Sequence, residues 1–486
     1  MFLGIDVGTS SVKAVLLDGE GRLEGQSSTP LTVERPHPLW SEQDPQAWWD
    51  ATVEAVRGLP EKQRRAVRAI GLSGQMHGAT LLDAADRPLR PAILWNDGRS
   101  EAECAKLEKL EPRSREITGN LAMPGFTAPK LLWVKRHEPD VFEKTKTVLL
   151  PKDYVRLRLT GEKASDMSDA AGTLWLDVAK RDWSDAMLKA TSLDRSAMPR
   201  AVEGTAATGK VRAEVARDLG IPEAVVAGGG GDNAASAAGV GVVSPKQAFL
   251  SLGTSGVLFV VTDKFRPNPA KAAHAFCHCL PGVWHQMSVI LTAAANIDWV
   301  TQLCGFANVV EAVAAAEKRG LHKQTPIFLP YLSGERTPHN DAQARGVFFG
   351  MTAESTAADL VAAVLEGVAF AFADGFDVLK EAGGEIADVT VVGGGSRLPY
   401  WGPILASALN LPLTYREGGE VGAAYGAARL GRLALTGERP SAVCTAPAIA
   451  RVVEPVAEMR EQLALRRALF VNLYQSLRKS YREYGR

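Results

Sequence analysis

The chain lacks a long apolar segment, an excess of charge of either sign and a cysteine framework. No uninterrupted run of about eighteen apolar residues occurs, so we expect no membrane-spanning helix. Lysine plus arginine and aspartate plus glutamate each total 55, which leaves no overall field to hold nucleic acid or an anionic membrane. Five cysteines are an odd number in 486 residues and favour a reduced cytoplasm over a disulfide scaffold. These absences leave a small molecule as the expected partner.

Two further features are missing. Residues 1–18 carry neither a basic region nor a long apolar core, so we expect no secretory signal. Cysteine and histidine do gather within residues 274–279, but Cys277-His278-Cys279 in direct succession is not the usual spacing of a structural zinc site. The pattern favours a buried strand there, with a metal site as the weaker alternative.

The length of the chain predicts two domains, because 486 residues with 46% hydrophobic content exceed what one core supports. Residues 2–18 form two apolar runs joined by Gly8-Thr9-Ser10, and residues 247–261 repeat this pattern around Gly253-Thr254-Ser255. A repeat half a chain apart indicates related domains. We therefore predict domains at residues 1–240 and 241–486, each of which begins with a β-hairpin.

Helix and strand patterns alternate along the rest of the chain. Apolar residues recur at three and four positions in residues 44–56, 357–378 and 463–484, which predicts helices. Residues 389–392 read as a strand that runs into Gly393-Gly394-Gly395. This order is typical of an α/β layered fold.

Phosphoryl transfer needs three kinds of group: backbone donors around the phosphates, a carboxylate for the metal and a base near the acceptor hydroxyl. The chain offers a candidate for each. Asp6 ends a predicted strand just before Gly8, so it is a candidate magnesium ligand. A single Gly-Thr-Ser segment is most simply a hairpin turn. Its recurrence at Gly253 favours two turns that grip one polyphosphate, although no Gly-x-x-x-x-Gly-Lys-Ser/Thr loop is present.

Four consecutive glycines, residues 228–231, precede Asp232. Such a run loses much chain entropy on folding unless another group must approach the backbone closely. Asp232 could be a helix N-cap, but the glycines favour a catalytic base. Gly394 and Gly395 could let a nucleotide lie against the backbone, or they could form an ordinary turn.

Two polar segments, residues 74–78 and 95–99, each follow an apolar run and could emerge from strand ends toward one pocket. Their amide, imidazole, carboxylate and guanidinium groups suit a polyhydroxy substrate. Taken singly, His77 could be a core histidine and Trp95 a packing residue.

Residues 125–137 and 346–366 resemble the two signatures of the FGGY family of carbohydrate kinases, and the motifs are collinear from residue 2 to about residue 430. The resemblance implies an α/β fold with two actin-like, ribonuclease H-like ATPase domains that flank a central cleft. It also implies ATP and Mg²⁺ as cofactors and a small-molecule sugar as substrate. Dimers are common in the family, so a homodimer is a further expectation.

Within the family, residues 41–45, 74–78, 94–99 and 331–338 are most similar to members that phosphorylate the 5-hydroxyl of D-xylulose. The alternatives are another polyol such as ribulose or glycerol, or a non-kinase actin-like ATPase module. By the resemblance, Asp232 is the general base and lies with Asp6 at the metal. The implied sugar contacts are Met76, His77, Trp95, Asn96, Asp97 and Asn233. The implied nucleotide contacts are Thr9, Ser10, Lys13, Gly253, Thr254, Gly394 and Gly395.

Overall fold

Two seven-stranded mixed β-sheets organise the protein in a computed structural model, which describes residues 1–417 and 422–484. The strands of the N-terminal sheet lie in the order Ala207–Lys210, Val225–Ala227, Ala69–Gly74, Phe2–Val7, Ser11–Leu17 and Leu23–Pro30, and Gly230–Gly231 also pairs with Ala69–Gly74. The strands of the C-terminal sheet lie in the order His274–Cys277, Trp284–Ile290, Gly256–Thr262, Gln247–Leu252, Asp388–Val392, Leu413–Arg416 and Ile449–Val453.

The two sheets share one pairing scheme. Phe2–Val7 is antiparallel to the strand that follows it and parallel to Ala69–Gly74. Gln247–Leu252 is likewise antiparallel to its successor and parallel to Asp388–Val392. The predicted hairpins and the predicted α/β fold with two related domains are confirmed, while the boundary at residue 240 stays a prediction.

Local chemistry explains why the predicted helices form where they do. Pro45–Arg57 begins with proline, and the Asp44 side chain accepts a hydrogen bond from Gln46 N at 2.9 Å. Ala357–Glu381 begins at a capping box between Thr356 and Asp359. The C-terminal helix runs over Ala457–Tyr484, and the predicted strand at the cysteine–histidine segment is present as His274–Cys277.

The other α-helices of six or more residues are Glu101–Leu110, Thr127–His137, Pro139–Lys144, Pro151–Thr160, Asp185–Ala190, Ala213–Leu219, Asp232–Val240, Ala294–Leu303, Val309–Arg319, Trp401–Leu409 and Ala423–Thr436. Shorter helices lie at Glu61–Arg64, Ser114–Thr118, Met167–Ala171 and Pro440–Val443, and 3₁₀ turns at Arg195–Ala197, Pro269–Lys271 and Gly394–Arg397. Two-stranded ladders join Glu42–Gln43 to Ala92–Ile93, Thr80–Leu82 to Thr147–Leu149, Ala164–Asp166 to Arg200–Val202, Leu176–Asp177 to Asp182–Trp183, and Ile327–Leu329 to Val347–Phe349. Across residues 1–417 and 422–484, no helix combines the length and apolarity needed to cross a bilayer.

The apolar core has three main parts. One lies against the N-terminal sheet and includes Trp48, and another lies against the C-terminal sheet and includes Phe370. The third joins the two halves of the chain, because Phe126 and its neighbours pack against Phe259 and Phe276 of the C-terminal sheet. The two halves therefore share buried apolar surface.

The helix Ala423–Thr436 belongs to the second half of the sequence but packs on the N-terminal sheet and on the helix Asp232–Val240. The backbones of these elements approach so closely that the contact positions must be glycine. A methyl group at Gly71 would lie 1.7 Å from the Ala427 carbonyl oxygen, and one at Gly426 would lie 1.7 Å from that of Ala235. This helix brings the chain back to the element that begins with Asp232.

Candidate active site

The carboxylates of Asp6 and Asp232 lie at the ends of two strands that flank the strand Ala69–Gly74. Asp6 is opposite Ser73 in the parallel pair of the N-terminal sheet, and Gly230 is opposite Ser73 on its other side. Asp232 follows Gly231 directly, so both carboxylates meet at one sheet edge. Burial and the charge of Asp232 raise the pKa of Asp6 from 3.8 to about 6.

The environment of Asp6 fits a divalent cation. Its Oδ1 is buried and has no hydrogen-bond partner among the described residues. A buried acceptor without a donor is costly, and a hard cation satisfies it. Within residues 1–417 and 422–484, no three His, Cys, Asp or Glu side chains converge as a complete metal site. Mg²⁺ would therefore need phosphate and water oxygens in addition to the carboxylates.

Asp232 is the first residue of the helix Asp232–Val240, and Gly231 takes the N-cap position. The Asn233 amide donates to Asp232 Oδ1 at 2.7 Å, and its side-chain nitrogen donates to the same oxygen at 2.9 Å. Burial raises the pKa of Asp232, against the lowering effect of these two hydrogen bonds. Because both bonds go to Oδ1, Oδ2 is the oxygen that can accept a proton.

The glycine segment before Asp232 is held in a narrow space. Gly229 has φ +80°, and a methyl group there would lie 2.1 Å from the Leu72 carbonyl oxygen. Arg156 donates to the Ala227 and Gly228 carbonyl oxygens, each at 2.6 Å. Gly231 N donates to Ser168 Oγ at 3.0 Å. The loop that carries Asp232 is thereby fixed at both ends.

A fully buried ionic cluster anchors these contacts. Lys152 Nζ lies 2.6 Å from Asp153, 2.9 Å from Asp166 and 3.2 Å from Asp169. Asp166 also accepts from Ser168 Oγ at 2.5 Å. Burial raises the pKa of Asp169 well above its ordinary value, although Lys152 opposes the shift. The cluster was not identified from sequence, because its charges are spread over eighteen positions without a local motif.

Met76 and His77 line the space beside Asp232. A methyl group at Gly231 would lie 3.0 Å from Met76 Cγ, so Met76 borders the base. His77 has φ +70°, and its Nδ1 lies 2.6 Å from the Gly172 carbonyl oxygen. Burial lowers the pKa of His77 to about 3, so the ring is neutral, Nδ1 carries the hydrogen and Nε2 can accept one from a hydroxyl group.

Lys130 holds His77 in its unusual conformation. Its buried Nζ donates to the carbonyl oxygens of His77 at 2.9 Å and Gly125 at 2.8 Å, and Thr127 Oγ1 donates to that of His77 at 3.1 Å. A positive φ in a non-glycine residue is strained and needs such support. Lys130 and Thr127 stand in the predicted first family signature, but the sequence did not reveal this role.

A hydrogen-bond chain joins the Gly-Thr-Ser turn to the sugar side. Trp95 Nε1 donates to Thr9 Oγ1 at 3.0 Å, and Thr9 Oγ1 donates to Gln75 Oε1 at 3.0 Å. Gln75 Nε2 donates to Gln43 Oε1 at 2.9 Å, and Gln43 Nε2 donates to the Thr9 carbonyl oxygen at 2.7 Å. Trp95 is thus a polar partner of the turn and not only a packing residue. The two glutamines are positioning residues that the sequence did not single out.

Asn96 and Asp97 differ although they are adjacent. Asn96 Oδ1 is buried without a hydrogen-bond partner among the described residues and is open to a ligand donor. Asp97 accepts from Ser41 N at 2.6 Å and from Arg99 Nη2 at 2.7 Å, and its side chain is fully buried. The predicted sugar contact of Asp97 stays a prediction, and the hydrogen bonds seen here hold Arg99.

The residues predicted for the nucleotide lie at one edge of the C-terminal sheet. Ser251 is opposite Val392, so Gly253 and Gly394 follow the ends of neighbouring parallel strands. The Gly253 carbonyl oxygen accepts from Ala294 N at 2.9 Å and that of Thr254 accepts from Ala293 N at 2.8 Å. A methyl group at Gly394 would meet no atom within 4 Å, whereas one at Gly395 would lie 2.8 Å from the Trp401 ring. Lys13 lies opposite Asp6 in the first hairpin, and Ser10 is exposed in its turn.

Comparison with known proteins agrees with this geometry. The FGGY family of carbohydrate kinases matches with its N-terminal domain at residues 1–239 and its C-terminal domain at residues 248–435. A xylulose kinase of Escherichia coli strain K12 is 54% identical over 480 residues, which cover 98% of this chain and 99% of the relative. A xylulose kinase of Klebsiella pneumoniae is 53% identical over 481 residues, with the same coverage. The crystal structure of a xyloylose kinase from Brucella ovis superposes with a TM-score of 0.94 at 50% identity and covers 98% of this chain and 99% of that one. The predicted family is confirmed, and the chain belongs to the FGGY family of carbohydrate kinases.

Proposed function

We propose that this protein transfers the γ-phosphate of ATP to the 5-hydroxyl of D-xylulose. The observation that carries the proposal is the placement of Asp232 at the sheet edge beside Asp6 and against Met76. A carboxylate with one oxygen free, next to a second carboxylate and a polar pocket, suits a hydroxyl acceptor and a phosphate donor. The similar proteins named above are xylulose kinases, which supports D-xylulose over ribulose or glycerol.

In this mechanism, the sugar lies along Met76 and His77 with its 5-hydroxyl at Asp232 Oδ2. The hydroxyl oxygen forms a bond to the γ-phosphorus while the bond from that phosphorus to the β–γ bridging oxygen breaks. The hydroxyl proton passes to Asp232, and ADP leaves. His77 Nε2 and Asn96 Oδ1 accept hydrogen bonds from other hydroxyl groups of the sugar, and Asn233 orients the base.

ATP occupies the edges that carry the two glycine turns. Thr9, Ser10 and Lys13 from the first hairpin and Gly253 and Thr254 from the second contact the phosphates, and Gly394 and Gly395 lie on the nucleoside. Asp6 and Asp232 would hold Mg²⁺ together with phosphate oxygens. The ion would supply positive charge to the transferred group.

Two wider expectations accompany this proposal: the protein works in the cytoplasm as a homodimer. The scattered, odd number of cysteines supports the first. Exposed Leu465 and Leu469, one turn apart on the C-terminal helix, support the second. Light scattering coupled to size exclusion measures the dimer directly.

The test is an ADP-release assay on D-xylulose, D-ribulose, L-ribulose, glycerol and D-gluconate with the wild type and Asp232→Ala. We expect strong turnover with D-xylulose alone and a loss in kcat of about 10²- to 10⁴-fold in the variant, with a smaller change in KM. Asp194→Ala is the control, because Asp194 is an exposed cap that accepts from Ser196 N at 2.8 Å, and it should retain activity.

The other outcomes separate the parts of the proposal. Stronger turnover of another polyol would keep the kinase and reject the acceptor. Equal losses of sugar affinity and kcat in Asp232→Ala would make Asp232 a structural residue. Turnover no faster than ATP hydrolysis by water with every sugar would favour an ATPase module.

A further inference from the structure

Arg336 is fixed to the C-terminal sheet by its neighbours. Thr337 exchanges hydrogen bonds with Val289, each 3.1 Å long, and Glu335 Oε1 accepts from Leu291 N at 2.9 Å. These contacts hold residues 335–337 along the end of the strand Trp284–Ile290. The backbone of Arg336 is therefore set by the half of the chain that does not carry Asp232.

The side chain of Arg336 reaches the histidines of the pocket. Its Nη1 lies 3.4 Å from His274 Nε2. His274 Nδ1 lies 3.0 Å from Asn120 Oδ1, whose own amide nitrogen donates to the Ala275 carbonyl oxygen at 3.0 Å. Asn120 Oδ1 is thus an acceptor, so His274 Nδ1 carries the hydrogen and Nε2 accepts from Arg336.

Arg336 lies on the His77 side of the pocket. The ring of Phe126 stands between the two histidines, with centroids 4.8 Å from His77 and 5.6 Å from His274. Burial and the charge of Arg336 lower the pKa of His274, and that charge contributes to the lowered pKa of His77. The three atoms nearest to a methyl group at Gly231 all belong to Met76, whereas Arg336 approaches the pocket through His274 and Phe126.

The guanidinium of Arg336 has no carboxylate within 4.0 Å among the described residues, whereas the guanidinium groups of Arg99 and Arg156 have such partners. Burial raises the pKa of the adjacent Glu335 to about 8, and its Oε1 is taken by backbone amides, so Glu335 supplies little countercharge at neutral pH. Arg336 is partly buried, and its guanidinium has five donors but one weak protein acceptor, so most of these donors are left for water or a ligand. Such an arrangement indicates a ligand with oxygen acceptors.

We infer that Arg336 binds the α-hydroxyketone end of the sugar, donating to the C2 carbonyl oxygen and the neighbouring O1. The inference rests on the proposed function, since a five-carbon chain with its 5-hydroxyl at Asp232 places C1 and C2 beyond His77. Two adjacent oxygens match the planar fork of a guanidinium, and a carbonyl can only accept hydrogen bonds. Arg336 thereby selects a ketose over the corresponding polyol and links sugar binding to the C-terminal half.

The test compares wild type, Arg336→Met and Arg336→Lys with D-xylulose and with D-arabinitol, in which C2 carries a hydroxyl group. We expect Arg336→Met to weaken calorimetric binding of D-xylulose and to raise its KM by about 10- to 100-fold, with the KM of ATP nearly unchanged. The preference for D-xylulose over D-arabinitol should shrink by a similar factor. Arg336→Lys should lie between the two, because it keeps the charge and loses the fork.

Two controls separate this role from a structural one. Arg345→Met alters an exposed arginine that donates to the Ala342 and Ala344 carbonyl oxygens, and it should leave sugar affinity unchanged. The melting temperature of Arg336→Met should equal or exceed that of the wild type, because a partly buried charge without a carboxylate partner is removed. An unstable variant with an unchanged preference for the ketose would overturn the inference.

Failure of the role of Arg336 and failure of the proposed acceptor would give different experimental results. Wild-type turnover of D-xylulose with unchanged KM and preference in Arg336→Met rejects the role of Arg336 alone. Wild-type turnover of another acceptor, with loss of D-xylulose binding in Arg336→Met, rejects the proposed acceptor and keeps the ketose contact. Absence of D-xylulose binding to the wild type rejects both.

Discussion

Asp6 is an ionisable side chain in an unfavourable environment, because burial and the charge of Asp232 both oppose its negative charge. Its pKa in the folded protein, about 6, exceeds the ordinary value of 3.8. The folded state therefore binds the proton more tightly, and Asp6 lowers stability progressively as pH rises from 3.8 to about 6. A cation bound at Asp6 would relieve this unfavourable electrostatic energy.

We predict that Asp6→Asn stabilises the protein without ligands at pH 7.5 by at most about 3 kcal/mol, and that this gain disappears near pH 4. Chemical denaturation at the two pH values measures the difference. Asp50→Asn, on the first helix, should change stability little at either pH. A gain that is equal at both pH values would reject the electrostatic explanation.

The fall of kcat/KM at acid pH should be controlled by protonation of the site carboxylates and not by protonation of His77. Burial holds the pKa of His77 at about 3, so the ring stays neutral over the working range, whereas burial and the charge of Asp232 raise the pKa of Asp6 to about 6. We expect kcat/KM to fall below about pH 6, with Asp6→Asn shifting the limb and His77→Gln leaving its midpoint in place. A midpoint that moves with His77→Gln would assign the limb to the imidazole.

At the scale of elements, the contact between the helix Ala423–Thr436 and the N-terminal sheet depends on the absence of side chains. Gly71 faces the Ala427 carbonyl oxygen at a separation that leaves no room for a methyl group. The helix therefore sits directly on the strand that ends beside Asp232. Arg429 adds hydrogen bonds to the Ala238 and Gly239 carbonyl oxygens at 2.9 and 3.0 Å, which close the end of the helix Asp232–Val240.

We predict that Gly71→Ala destabilises the protein by about 3 kcal/mol or more, because the backbone must shift to admit the methyl group. Gly19→Ala is the matched control, since a methyl group there meets no atom within 4 Å. Thermal and denaturant unfolding of both variants give the comparison. A small effect of Gly71→Ala would mean that the helix is not held on the strand as described.

At the scale of the molecule, the two halves of the chain are interdependent. The helix Ala423–Thr436 covers the N-terminal sheet, and Phe126 packs with Phe276 at a centroid separation of 6.3 Å across the shared core. We predict that the full chain unfolds in one calorimetric transition. A chain of residues 1–240 alone should lack a cooperative transition, because its sheet loses this cover.

Adding a peptide of residues 423–436 to the 1–240 chain should restore part of the tertiary circular dichroism signal. A peptide with Gly426→Val is the control, because a methyl group at that position already meets the Ala235 carbonyl oxygen. A cooperative transition of the 1–240 chain at the temperature of the full protein would contradict this interdependence.

Much of the fold was predictable from sequence where the signal is local. The hairpins around Gly8 and Gly253 follow from alternating apolar runs and turn residues, and Pro45–Arg57 follows from its apolar spacing and aspartate cap. Asp6 and Asp232 were identifiable because strand ends and glycine runs mark places where a ligand approaches the backbone. Asp97 shows the limit, since nothing in its own segment indicated that the backbone of Ser41, which is distant in sequence, would donate to one of its oxygens.

The sequence by itself determined the two hairpins, the helices with clear apolar periodicity, the internal repeat, the family resemblance and the two carboxylates, because φ/ψ preferences, apolar periodicity and glycine placement act over a few residues. Only the tertiary structure decided the elevated pKa of Asp6, the strained His77 held by Lys130, the helix that returns to the N-terminal sheet and the unpaired Arg336. Each of these depends on groups that are distant in sequence. Burial and charge act through space, so they are defined only once the chain has folded.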